Sequence, residues 1–458
     1  MTDYMEIVNP ATSEILEKIE SADQQEVDEA VANAKQAWPK WAAMAPNDRA
    51  KLMRDFAKAV EDNADELALI ESKNVGKPIE DAKWEILEVA QVLLFYSGAI
   101  DKHYGATIPV AGGVDMTFNE PLGVVGAIVP WNFPALITSW KVGPALATGN
   151  VIIVKPAEWT PLSAIRLSEI ALEAGIPKGV LTVLPGRGPV AGMGLVNHSD
   201  VAKIAFTGST SVGKLIMQKA SETIKRVTLE LGGKSANVIF ADADLDEAAK
   251  AAPMAVFGNT GQDCCARSRI LVEASVYDKF LEKLISNTKK VVVGDPLDSK
   301  TQVGPLVTKE HKARVDTFLN PLESDVEMVF ESSLPDSGGV FSPLRILATT
   351  KKSARVVNEE IFGPVVTVIP FKDEAEAIEL ANSTVYGLSG SIWTNSTGRA
   401  LRVVRALRTG TLSVNSNSSV RTSTPFGGMG MSGIGRELGM EALRSYTEVK
   451  NVFISDKI

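Results

Sequence analysis

At 458 residues the chain is longer than one hydrophobic core serves well, so two or more domains are expected. Hydrophobic residues make up 45% and charged residues 22%, a globular composition that argues against disorder, and a net charge of −9 argues against the basic footprint of a nucleic-acid binder. The two cysteines, Cys264 and Cys265, are adjacent and poorly placed to bridge, which points to a reducing, cytoplasmic setting. The three histidines lie far apart, so no metal site is expected.

The N-terminal stretch MTDYMEIVNPATSEI is polar and has no signal-peptide core. Apolar positions at helical spacing predict helices over about residues 26–41 and 48–72. Residues 121–140 carry no charge and are long enough to span a bilayer. Pro130, Asn132 and Pro134 interrupt them, so a buried strand and a sharp turn are expected there and no membrane contact. Short apolar runs at residues 124–129, 151–154, 180–184, 203–206 and 237–240 alternate with helical stretches, one opened by Thr160 as N-cap and Pro161 and closed by Gly175. That alternation is the signature of a parallel sheet with crossover helices, a Rossmann-type α/β arrangement. A second alternating region runs from about 241 to 436, with strands at 269–272, 365–369 and 412–414 and a Ser/Gly/Pro-rich surface loop at 331–343.

Three segments carry chemistry. The strand at 203–206 enters Thr207-Gly208-Ser209-Thr210-Ser211-Val212-Gly213, where glycine lets the backbone approach a phosphate and a helix N-terminus offers free N–H groups. The same glycines also serve tight packing, and Leu215 stands where a Walker loop needs Ser or Thr for magnesium. Lys155-Pro156-Ala157-Glu158 ends a strand, where a Lys and a Glu three apart either grip ribose hydroxyls or form a solvated pair. Residues 257–269, FGNTGQDCCARSR, place a cysteine in a turn, either reactive, with Arg267 and Arg269 favouring its thiolate, or buried and inert.

Seven motifs in order resemble the aldehyde dehydrogenase superfamily across nearly the whole chain. They are Pro130-Trp131-Asn132-Phe133-Pro134, Lys155-Pro156-Ala157-Glu158, Phe206-Thr207-Gly208-Ser209, Glu230-Leu231-Gly232-Gly233-Lys234, Gly261-Gln262-Asp263-Cys264, Glu359-Glu360-Ile361-Phe362-Gly363-Pro364 and Pro425-Phe426-Gly427-Gly428. The resemblance implies Cys264 as nucleophile, Asn132 and the Cys264 N–H as oxyanion donors, and Glu230 as the base that hydrolyses a thioester. Lys141 and Glu437 match positions that support the proton path. NAD is the implied cofactor, with NADP less favoured because Glu158 would repel a 2′-phosphate. Its contacts would be Trp131, Lys155, Glu158, Gly208, Ser209, Glu360 and Phe362.

The same resemblance implies a cofactor domain at 1–100 and 122–232, a catalytic domain at 233–447, and a small β element at 101–121 and 448–458 that builds a homodimer or homotetramer. For the substrate, Asp263 beside the nucleophile suits the ammonium of an ω-aminoaldehyde, as in the similar bacterial aminobutyraldehyde dehydrogenases. Arg421 suits a carboxylate such as that of succinic semialdehyde, and Trp140 is a further wall of the substrate site. The rival readings are a CoA-acylating relative, which needs no base at position 230, and a catalytically silent binding protein of the same fold, which would have no use for Cys264, Glu230 and Asn132 together.

Overall fold

The alternating apolar runs pair as their pattern predicts. In the computed structural model, which describes residues 3–457, Arg226–Glu230, Val201–Thr207, Val124–Ile128, Val151–Lys155 and Leu181–Val183 lie side by side in that order as a parallel sheet. The two-residue strand Gly433–Ile434 closes one edge antiparallel. Val124–Ile128 is buried at every position, as a strand covered on both faces must be. The chain leaves it toward Val151–Lys155 on one side and later returns to Val201–Thr207 on the other, so the carboxyl ends of these strands frame a crevice where the strand order reverses.

Leu231–Ser235 links Glu230 to a second sheet that begins at Ala236–Ile239. This sheet has seven strands, in the order Val326–Glu331, Arg345–Thr349, Val365–Phe371, Arg269–Glu273, Ala236–Ile239, Ser389–Trp393 and Thr411–Val414, all parallel except the first. A third sheet pairs Thr447–Ser455 along the whole of Gly113–Pro121, with Thr107–Ile108 beyond it. Thr447–Ser455 is the outer strand of this sheet, and its Val449 and Phe453 are 65% and 50% exposed.

Residues 121–140 hold a buried strand, a turn and the start of the wholly buried helix Pro134–Ala147. Among the described residues no helix is long and apolar enough to cross a membrane. Two expectations need correction, and one pair of strands was not foreseen. The predicted helix at 48–72 is two helices, Pro46–Asp62 and Ala64–Val75, broken at Asn63. A hairpin of Tyr4–Val8 and Ile15–Glu20 precedes all the helices. Thr160 does not cap the helix Leu162–Glu173; its hydroxyl donates to the carbonyl of Trp131 (3.0 Å) and ties down the turn after Val124–Ile128. Gly175, just past that helix, is left-handed as expected (φ +94°).

Candidate active site

The crevice opens into a cavity with room for about 230 Å³. From the first sheet come Trp131 and Asn132, Gly208 and Ser209, and Glu230; from the second half of the chain come Cys264, Glu360 and Phe362. The sequence reading missed His311 and Arg314, both on the helix Lys309–Asp316 and both lining the cavity. His311 Nε2 lies 2.7 Å from the carbonyl of Phe362, and Arg314 donates to the carbonyls of Ile361 (2.7 Å) and Glu360 (2.9 Å). Their spacing of three on one helix was the available signal, but nothing local indicated which segment they would meet.

The cysteine turn owes its shape to three successive left-handed residues, Asn259, Thr260 and Gly261, with φ of 46°, 60° and 69°. Gly261 also abuts the carbonyl of Gly363, which leaves no space for a Cβ. Two hydrogen bonds lock this turn to the Pro130–Pro134 turn. Asn259 Nδ2 donates to the carbonyl of Asn132 (2.9 Å), and Asn132 Nδ2 donates to the carbonyl of Gln262 (2.8 Å). An amide NH₂ has two donors, so one N–H of Asn132 remains for a group in the cavity. The N–H of Cys264 also meets no protein acceptor among the described residues, whereas that of Cys265 donates to Asp263 Oδ1 (2.8 Å).

Glu230 ends its strand with both carboxylate oxygens buried and without a hydrogen-bond partner. Burial, and then the charge of Glu437, push its carboxyl well above the usual range; the Lys141 ammonium pulls the other way. Lys141 is fully buried and donates to Thr207 Oγ1 (2.8 Å) and to Glu437. Cys264 is likewise raised, by the neighbouring Cys265 thiol first, then by burial and the negative charges around it. The expectation that Arg267 and Arg269 favour the thiolate is corrected for Arg269; the Arg267 charge attracts both thiolates but does not outweigh the groups that raise Cys264. Arg267 faces the thiols but gives its donors to Ser391 Oγ, Ser419 Oγ and the carbonyl of Cys265. Arg269 spends its donors on the carbonyls of Lys234, Leu380 and Ala381.

The remaining expected residues lie outside the cavity lining. Trp140 is buried on Pro134–Ala147 with its ring 5.1 Å from Phe426. Asp263 is half-buried beside Cys264, and one of its carboxylate oxygens and the two sulfurs all lie within 4.8 Å of one another. Arg421 is exposed. Glu158 accepts from the N–H of Gly188 (2.7 Å), with Arg187 3.8 Å away. Lys155 is buried, its ammonium makes no protein hydrogen bond among the described residues, and it is lowered to about 8 by burial, with Glu158 opposing.

These surroundings fit a dinucleotide. An ammonium without an acceptor sits at one end, and the N-terminus of the helix Thr210–Ala220 follows Gly208, where a Cβ would meet the Phe206 ring at 2.6 Å. Trp131 and Phe362 supply aromatic walls, with ring centroids 5.3 Å apart. Glu360 accepts from the N–H of Gly233 (2.8 Å) and turns its other oxygen toward the α-carbon of Gly232.

Comparison with known proteins agrees with this geometry. Residues 1–452 match the aldehyde dehydrogenase family. A putative aldehyde dehydrogenase of Bacillus subtilis, DhaS, is 43% identical over 452 residues, covering 98% of this chain and 91% of that protein. Retinal dehydrogenase 2 of Mus musculus is 43% identical over 458 residues, covering 98% and 88%. The solved NAD⁺ complex of an aldehyde dehydrogenase from Bacillus cereus matches with a TM-score of 0.97 at 40% identity, covering 99% of this chain and 94% of that one. The chain belongs to the aldehyde dehydrogenase family.

Proposed function

We propose that the protein oxidises an aldehyde to the free carboxylic acid with NAD, using Cys264 as nucleophile and Glu230 as hydrolytic base. The observation that carries this reading is the Glu230 carboxylate, buried and unpartnered in the same cavity as Cys264 and Asn132. A CoA-acylating enzyme has no use for such a base, and a silent binding protein has no use for the three groups together.

Cys264 sulfur attacks the aldehyde carbon, and its thiol proton leaves to a base or to water. The new oxyanion takes hydrogen bonds from the free N–H of Asn132 and the N–H of Cys264. NAD, when bound, supplies the acceptor for the hydride that turns the thiohemiacetal into a thioester. Glu230 then takes a proton from water as the water attacks the thioester, and the acid departs. The proton on Glu230 is drawn by the negative charge of Glu437 and opposed by the Lys141 ammonium, which helps release it again. Lys155 and Glu158 hold the adenosine ribose, Ser209 the pyrophosphate, and Glu360 the nicotinamide ribose, with residues 1–100 and 122–232 as the cofactor domain and 233–447 as the catalytic one. A reducing cytoplasm keeps both thiols free, and residues 101–121 and 448–458 form the surface that joins two or four copies.

For the substrate we favour an ω-aminoaldehyde. Asp263 is half-buried beside Cys264, where burial raises its carboxyl and an ammonium would restore its charge. Arg421 is exposed, and an exposed ion pair gains little, which counts against a carboxylate-bearing aldehyde.

The test is NADH formation with 4-aminobutyraldehyde, succinic semialdehyde and butyraldehyde, with and without CoA. The expected result is acid formed without CoA, lost in Cys264→Ala and kept in Cys265→Ala, with the aminoaldehyde preferred. A requirement for CoA, or full activity in Cys264→Ala, overturns the mechanism. An aminoaldehyde no better than butyraldehyde overturns the substrate reading alone.

A further inference from the structure

Directly behind the Asn132 turn lies a buried charge cluster that the proposed chemistry does not use. Lys77, Glu71 and Glu85 are 1%, 0% and 3% exposed. Lys77 Nζ is hydrogen-bonded to Glu85, lies 3.8 Å from Glu71 Oε2, and sits 4.5 Å from the centre of the Phe133 ring. Glu71 Oε1 accepts from the N–H of Ala135 (2.9 Å), in the first turn of Pro134–Ala147. The cluster thus grips the residue after Asn132 by its ring and the helix that follows by a backbone N–H.

Such a cluster is a poor way to gain stability, because removing three charged groups from water costs more than their attraction readily returns. The strain is visible: burial pushes the Glu85 carboxyl up to about 8 even with Lys77 beside it. Directional contacts are what it offers in return. Gln262 and Asn259 hold Asn132 from the cysteine side; Lys77 and Glu71 hold the opposite side, so the turn is fixed on both flanks.

We propose that Lys77, seated by Glu71 and Glu85, is a positioning residue that holds the Asn132 amide where the oxyanion forms. This rests on the reading of Asn132 as an oxyanion donor. A donor displaced by about 1 Å costs on the order of 100-fold in rate, so a loosened turn has a measurable price.

The experiment is a double-mutant cycle on single-turnover NADH formation, with folding checked by thermal unfolding. Lys77→Met is expected to slow this step by on the order of 10- to 100-fold in the otherwise native enzyme and to cost nothing further in Asn132→Ala. Lys77→Arg should recover part of the loss. If Lys77→Met does not fold, Glu71→Gln carries the same cycle, since it keeps an acceptor for Ala135 and removes the charge that seats Lys77; a smaller loss with the same non-additivity is expected. An equal loss in both backgrounds, or no loss in the single variants, overturns the proposal. A full-rate Asn132→Ala enzyme overturns the oxyanion reading instead.

Discussion

Gly427 lies against the carboxylate of Glu230: a Cβ on Gly427 would stand 2.8 Å from Oε1 and 2.9 Å from the carbonyl of Gly435. The Pro425–Gly428 motif therefore shapes the space around the proposed base. Gly427→Ala is expected to cost about 1–3 kcal/mol of stability through overpacking and on the order of 10- to 100-fold in turnover through displacement of Glu230. Thermal unfolding and steady-state kinetics on one preparation check this. Full turnover would mean that the contact has no bearing on the base.

The raised carboxyl of Glu230 gives a pH dependence of known sign. A base whose proton is held more tightly than usual is inactive at low pH and gains activity as pH rises through its elevated pKa. Thioester hydrolysis should therefore go on climbing with pH beyond the ordinary carboxylate range. A rate already flat from about pH 5 would contradict the environment described for Glu230.

Cofactor preference should depend on Glu158. If Glu158 holds the ribose as proposed, its carboxylate would repel a 2′-phosphate while Lys155 and Arg187 nearby temper the repulsion, so NAD should be favoured without NADP being excluded. Glu158→Gln should raise kcat/KM for NADP by about tenfold, equivalent to about 1.4 kcal/mol. An unchanged ratio of the two cofactors would remove Glu158 from the ribose site.

Among the described residues the buried Lys203 ammonium has only Thr228 Oγ1 as acceptor (2.9 Å), with the Tyr446 ring 4.8 Å away, and burial lowers it to about 7. Unfolded, it would hold its proton to about pH 10.4. Between those values the unfolded chain binds the extra proton, so this residue's contribution to stability rises with pH across that window. Lys203→Met should flatten the rise and stabilise the protein by about 1 kcal/mol near pH 7. Unfolding measured across that window decides it, and a variant with an unchanged slope would show that Lys203 is not the titrating group.

What was legible in the sequence was the strand ends, where one short segment carries both the apolar run and the polar residue that closes it, as with Glu230 and Lys155. Other strands were harder to see. Tyr4–Val8 and Ile15–Glu20 are short and half-exposed, and the interior strand Ser389–Trp393 opens with Ser, Gly and Ser, so its apolar run is only Ile392 and Trp393. Arg269 misled because proximity in sequence does not reveal direction: it turns to the carbonyls of Leu380 and Ala381, whereas Arg267 does face the thiols. His311 and Arg314 reach the site through packing against residues 360–362 and, for His311, against Trp131, which no local pattern records.

The division of labour between Cys264 and Glu230 is tested most directly by mixing Glu230→Gln with NAD and aldehyde. Glutamine keeps the shape of the buried side chain and removes its basicity, so acylation should proceed and hydrolysis should stall. The account predicts one NADH per site in a burst, very slow turnover afterwards, and the mass of the acyl group on the peptide carrying Cys264. Turnover at the native rate, or an acyl group absent from Cys264 after the burst, would contradict it.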